Sequence, residues 1–272
     1  IILAPTGIAA INAGGSTLHS FFKLPFHPLL PNDSMYSVRN IRNTLKYNSE
    51  KIKIIREVEL IIIDEISMVR ADIIDFLDKV LRVYCRNMRE PFGGKQLLLV
   101  GDIFQLEPVV REDDRRLLSP FYRSSFFFDA KVFEYFKLVS IELKKVYRQS
   151  DPVFISILDH IRTSQVPMQD LQRLNQRVGA QLDESDSKLA ITLSTRRDTV
   201  DYINDSQLQC LPGEPCLFRG HIQGEFPESS LPTPIELYLK TGAQVIFIKN
   251  DIEHQWVNGT LGTIIGFDED ED

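Results

Sequence analysis

The chain has 272 residues, room for one large domain or two of about 100–200 residues each, and its 43% apolar and 25% charged residues are the balance of a globular protein with a sizeable core, which excludes extensive disorder. A net charge of −7 argues against coating nucleic acid by bulk electrostatics, because such domains are usually basic. The last five residues, Asp268 to Asp272, are all acidic, however, and without them the balance is −7 + 5 = −2, so any phosphate binding falls to local basic groups.

Taken in chain order, Ile1–Leu3 is the first short apolar run of a length suited to a buried strand, and similar runs recur at Leu60–Ile63, Leu97–Val100, Leu138–Ile141, Ala190–Leu193 and Gln244–Ile248. Residues 25–50 interrupt the pattern with Pro25, Pro28 and Pro31 and a polar stretch through Asn48, and read as an insertion. After the second run, Ile73, Ile74, Leu77, Val80, Leu81 and Tyr84 fall on one face at helical spacing. Strands alternating with helices predict an α/β chain with parallel sheets. Asp151 before Pro152 is a helix start, which places a domain boundary near it and divides the chain into 1–149 and 150–272. Residues 211–234, with five prolines, read as a surface loop. Cys85, Cys210 and Cys216 have no CxxC spacing, which points away from disulfides and zinc and toward a reducing, intracellular setting. No apolar run approaches the roughly 18 residues that cross a bilayer, and no membrane role is expected.

Chemistry concentrates at strand ends. Leu60-Ile61-Ile62-Ile63-Asp64-Glu65 is an apolar strand delivering adjacent carboxylates at its C-terminal end, where open α/β sheets bind ligands. This is a Walker B arrangement: Asp64 would hold Mg²⁺, which takes few protein carboxylates and keeps its waters, and Glu65 would polarise the attacking water. A strand ending in solvated acids is the alternative. A second strand runs into Gly101-Asp102-Ile103-Phe104-Gln105-Leu106-Glu107-Pro108. The Gln105 amide both donates and accepts hydrogen bonds, which suits a γ-phosphate sensor, whereas a plain turn with an exposed glutamine is the bland reading. The segment Thr17 to Phe22 mixes a hydroxyl, an imidazole and two aromatics suited to sugar-phosphate contact and base stacking, although phenylalanines such as Phe21 and Phe22 are more often core than platform. Ser194-Thr195-Arg196-Arg197-Asp198 lies between a strand pattern and a helix pattern and offers phosphate-binding groups at a helix start; an N-cap with two solvated arginines is the alternative. Asn258-Gly259 is a hairpin-turn signal in its own right.

These strings resemble the motifs of one family. The stretch from Gly101 to Pro108 resembles motif III of superfamily 1 helicases. Ala4-Pro5-Thr6-Gly7-Ile8-Ala9-Ala10 and Ser16-Thr17-Leu18-His19-Ser20-Phe21 are similar to motifs Ia and Ib of the petite-integration-frequency DNA helicases, relatives of the RecD subunit of a bacterial recombination nuclease. Asp64-Glu65-Ile66-Ser67-Met68 resembles their motif II, Tyr147-Arg148-Gln149 their motif IV, and Val257 to Gly262 a late element of the second motor domain.

The resemblance implies two RecA-like P-loop NTPase domains, with a small β insertion beginning near the C-terminus, and a motor that hydrolyses ATP with Mg²⁺ between them. It implies 5′–3′ stepping on single-stranded DNA and unwinding at duplex junctions, in genome maintenance. Glu65, Gln105 and Arg148 would be catalytic, Arg148 as a finger on transition-state charge, with Asp64, Gln105 and Arg148 at the nucleotide. Pro5, Thr6, Gly7, Thr17, His19, Ser20, Thr195, Arg196, Asn258 and Gly259 would face the strand. A monomer is expected, cytoplasmic in a bacterium and nuclear or mitochondrial in a eukaryote. The phosphate loop GxxxxGK[ST] is missing, since Gly93-Gly94-Lys95 leads into Gln96 and a strand, and so are motifs V and VI. A fragment is therefore expected, inactive alone, whose phosphate loop lies roughly 15–30 residues upstream of Ile1 by the length of a strand-helix-strand unit. The competing readings are a non-catalytic single-strand-binding module and a P-loop ATPase acting on something other than DNA.

Overall fold

The computed structural model describes residues 1–136, 138–147, 149–181, 190–222, 233–248, 251, 255–256 and 260–268. Four short strands form one parallel sheet in the order β2-β1-β3-β4: β1 (Ile2–Ala4), β2 (Ser16–Thr17), β3 (Leu60–Ile63) and β4 (Gln96–Leu99). Its register pairs Leu3 with Ser16 and Ile63, and Ile63 in turn with Leu99. The chain is mixed α/β, as the strand and helix alternation requires. Gly15 makes the β1–β2 approach possible, because a Cβ there would stand 2.2 Å from the Ile2 carbonyl oxygen.

Helix α1 (Gly7–Asn12) and helix α2 (Leu18–Phe22) follow β1 and β2 directly. Helices α3 (Ile41–Leu45) and α4 (Ser49–Glu57) precede β3, and α5 (Ala71–Cys85) joins β3 to β4. All six apolar residues of the predicted α5 face are buried, together with Phe76 and Val83. Each such side chain contributes about 1.5–3 kcal/mol when removed from water, so α5 anchors the core. Its acids fasten loops to it. Asp75 accepts from Tyr122 Oη at 2.9 Å and from the Lys131 and Val132 amides at 3.0 and 2.9 Å. Asp72 accepts from the Leu29 amide at 2.9 Å.

The insertion at 25–50 adds to this core. Leu29, Tyr36, Ile41, Leu45 and Tyr47 all enter the core, and Tyr47 donates its hydroxyl to the Phe22 carbonyl. Four sequence expectations change. Leu138–Ile141 and Ala190–Leu193 form no strand; Val139, Ile141 and Leu193 stay exposed, because an apolar run becomes a strand only where a sheet edge pairs its backbone. The run from Gln244 forms β7 (Gln244–Ile246), antiparallel to β8 (Leu261–Thr263). Within 211–234, β5 (Cys216–Arg219) pairs antiparallel with β6 (Glu236–Leu239).

Packing divides the chain into two compact units, Ile1–Arg177 and Val178–Asp272, whereas the sequence suggests a division at 149/150. Helices α6 (Glu112–Leu118), α7 (Pro152–Arg162) and α8 (Met168–Asn175) belong to the first unit, and α9 (Arg197–Cys210) with β5 to β8 to the second. The Asp151 carboxylate caps α7, as its place before Pro152 predicts, accepting from the Val153 and Phe154 amides. Among the described residues, no helix is long and apolar enough to cross a membrane.

Candidate functional site

The C-terminal edge of the parallel sheet gathers half of the sequence-predicted groups: Pro5, Thr6 and Gly7 after β1, Thr17 at the end of β2, Asp64 and Glu65 after β3, and the loop to Gln105 after β4. Two adjacent strands bring the acidic pair and the Gln105 loop together. The Val100 amide donates to Ile63 and the Ile66 amide donates back to Val100, both at 2.9 Å. A Cβ on Gly101 would stand 2.9 Å from the Ile66 amide nitrogen, so only glycine lets the loops approach this closely.

Glu65 occupies the left-handed region with φ 50° and ψ 44°, a conformation that costs a non-glycine residue about 1–2 kcal/mol. It turns the chain sharply off β3, and the Glu65 amide donates to Asp64 Oδ1 at 2.9 Å. Both carboxylates remain partly exposed. Past β4, Asp102 organises its loop: Oδ1 accepts from the Phe104 amide and Oδ2 from Gln105 Nε2, each at 3.1 Å. Arg162 of α7 donates Nε to both oxygens, at 3.1 and 2.9 Å. Burial pushes the Asp102 carboxyl up, but these donors outweigh it and hold it below the usual carboxylate range.

Among the residues expected to meet a nucleic-acid strand, the hydroxyls of Thr6 and Thr17 cap α1 and α2, accepting from Ala9 at 3.2 Å and Ser20 at 3.1 Å. Both oxygens thus shape the loops before they meet any ligand. Phe21 and Phe22 are core residues. His19 stacks on Phe26, with centroids 5.3 Å apart and planes 10° apart, and Phe26 is 88% exposed. Burial, then the Arg70 guanidinium, lowers the His19 imidazole below its ordinary 6.5, while Asp72 offsets part of this. Arg70 itself pairs with Asp72 at 2.7 Å.

Thr195 and Arg196 lie in the second unit and are exposed. Arg196 forks onto Asp198, and that ion pair holds the Asp198 carboxyl below its ordinary range. Arg148, Asn258 and Gly259 lie outside the described residues. Sequence reasoning missed Phe26, Arg70 and Arg162. Only Phe26 left a signal, an aromatic between prolines just beyond the Thr17 to Phe22 segment.

Comparison with known proteins gives this geometry a family. Residues 1–171 match the model for PIF1-like helicases. The chain belongs to the PIF1-like helicase family. It is 33% identical to the human ATP-dependent DNA helicase PIF1 over 98% of this chain and 40% of that protein. It is 32% identical to the Saccharomyces cerevisiae protein of that name over 98% and 30% respectively. Among solved structures, Bacteroides Pif1 bound to single-stranded DNA superposes with a TM-score of 0.77 at 40% identity, over 99% of this chain and 60% of that one. Its complex with ADP-AlF4 gives 0.79 at 39%, with the same two shares of 99% and 60%. The Candida albicans Pif1 helicase gives 0.80 at 32%, over 99% of this chain and 59% of that one. The chain thus spans 30–40% of these curated relatives, and the RecA-like fold of the solved PIF1-like helicases is its fold.

Proposed function

We propose that the protein carrying this chain is an ATP-dependent DNA helicase that steps along single-stranded DNA. The observation that carries the reading is the Asp64–Glu65 pair on β3 held beside the Asp102–Gln105 loop on β4 by reciprocal backbone bonds. Glu65 orients the attacking water and accepts its proton, and Gln105 sets its amide toward the γ-phosphate. Arg148 serves transition-state charge. Asp64 fits Mg²⁺ as a lone protein carboxylate: no cluster of three or more metal-ligating side chains exists among the described residues, and magnesium needs only one or two beside phosphate oxygens and water. Bound there, the ion would neutralise phosphate charge. His19 and Phe26 supply a stacking face and Thr6 and Thr17 polar contacts for the strand.

The relatives named as ATP-dependent DNA helicases and the solved Pif1 bound to single-stranded DNA support this assignment of substrate. Stepping in the 5′–3′ direction, unwinding at duplex junctions, work as a monomer and a role in genome maintenance belong to the same proposal. Turnover of ATP by the full-length protein, with and without single-stranded DNA, tests it. Strand-stimulated hydrolysis abolished by Glu65→Gln is the expected result. Strand binding without turnover would mark a non-catalytic binding module instead, and turnover indifferent to DNA a different ATPase.

A further inference from the structure

Arg162 lies 60 residues from the loop it touches, outside every motif recognised in the sequence. Its Nε bonds both oxygens of Asp102, its guanidinium carbon stands 5.0 Å from the Phe104 ring centroid, and Asp159 one turn back on α7 holds its Nη1 at 3.3 Å. The guanidinium is thus engaged from three directions. Asp102 is the hub: the carboxylate that Arg162 grips also accepts the Gln105 side-chain nitrogen.

We propose that Arg162 is a positioning residue that aims the Gln105 amide by way of Asp102. An ionised carboxylate only accepts hydrogen bonds, so Asp102 selects the amide's nitrogen end. The carbonyl oxygen of Gln105 is left to accept from water, and its second N–H is left to meet a phosphate oxygen. Arg162 contributes twice. It fixes the carboxylate in the plane that receives the amide, and it neutralises a negative charge that would otherwise repel phosphate oxygens beside the sensor. Because Arg162 belongs to α7, movement of Gln105 toward a phosphate is felt by that helix through one carboxylate.

This inference rests on the ATP-hydrolysing role proposed above, and the test separates the two. In the full-length protein, Arg162→Ala should lower DNA-stimulated kcat about tenfold, the scale of one charge-assisted hydrogen bond felt in the transition state. The KM for ATP should change little, and Arg162→Lys should recover part of the loss. Arg162→Ala combined with Gln105→Ala should be no slower than Gln105→Ala alone, because a residue acting through another adds nothing once that other is gone. Losses that multiply, or unchanged kcat in Arg162→Ala, would overturn the proposal. A second readout does not need turnover: with ¹⁵N-labelled glutamine, the Gln105 side-chain amide signal should shift in Arg162→Ala while the other glutamine signals stay. If wild-type protein hydrolyses no ATP, the helicase reading fails, and a Gln105 signal unmoved by Arg162→Ala would still overturn the positioning role.

Discussion

The two compact units are built differently. In Ile1–Arg177 a parallel sheet and α5 share one continuous apolar cluster running from Leu3 to Val132. In Val178–Asp272 the described elements are a helix without a buried residue and two isolated strand pairs, and Ala243 is the one buried apolar residue described. Short helices and two-stranded sheets are marginal without tertiary packing. The contrast teaches where geometry can be trusted to hold chemistry. The strained Glu65 and the close approach at Gly101 need a rigid surround, and the core cluster of the first unit supplies one. The fork of Arg196 onto Asp198, in contrast, is an exposed local contact, of a kind that contributes little.

The largest expected effects accordingly belong to the first stretch of chain. Arg148→Ala in the full-length protein should reduce ATP hydrolysis about 10³-fold, the lower end for arginine fingers, with single-strand affinity in the absence of nucleotide little changed. A loss confined to DNA binding would give Arg148 another role. Glu65→Gln should lower turnover at least about 10²-fold, the lower end for a general base, while ATP binding persists; undiminished DNA-stimulated hydrolysis would remove Glu65 from catalysis.

Packing gives the next effect in size. Leu77, 1% exposed on α5, should cost about 2–5 kcal/mol when replaced by alanine. Ile203 on α9, only half-buried, should cost about 1 kcal/mol or less. Urea unfolding midpoints of Leu77→Ala and Ile203→Ala measure both. Equal losses would mean that α9 is packed as firmly as α5, and would break the contrast between the units.

How much of this was legible in the sequence follows the same divide. Asp64, Glu65 and Gln105 could be placed because each follows an apolar run, and a strand end and its cargo are contiguous in sequence. The α5 face was legible because its spacing repeats. What could not be read were partnerships across distance: Arg162 with Asp102, Asp72 with the Leu29 amide, His19 with Phe26 across a proline. Nothing in a local window marks an arginine as bound to a carboxylate 60 residues away. Leu138–Ile141 fails for the converse reason. Its composition is that of a strand, but pairing depends on a neighbouring edge, and composition carries no information about that edge.

The smallest expected effect distinguishes the units by the kind of contact proposed for each with a strand. At pH 7.5 His19 is neutral, because burial and Arg70 lower its imidazole below 6.5. It therefore releases no counterion when a base stacks on it. His19→Ala should weaken single-strand affinity up to about tenfold, within the range for one lost stacking contact, and leave the slope of log K against log salt unchanged. Arg196→Ala should do the reverse: little loss of affinity, and a slope reduced by at most about 0.7, the value for one phosphate on a single strand, because Asp198 already shares its charge. The same imidazole gives a pH signature. A histidine lowered on folding takes up protons more readily in the unfolded chain, so its contribution to stability is complete above 6.5 and lost as pH falls through the folded value. Thermal melts of wild type and His19→Gln between pH 7.5 and 5 should diverge below 6.5, with the wild type losing more. Parallel curves, together with a salt slope that falls in His19→Ala, would mean that His19 is charged and grips phosphate, and the two units would then hold the strand by the same means.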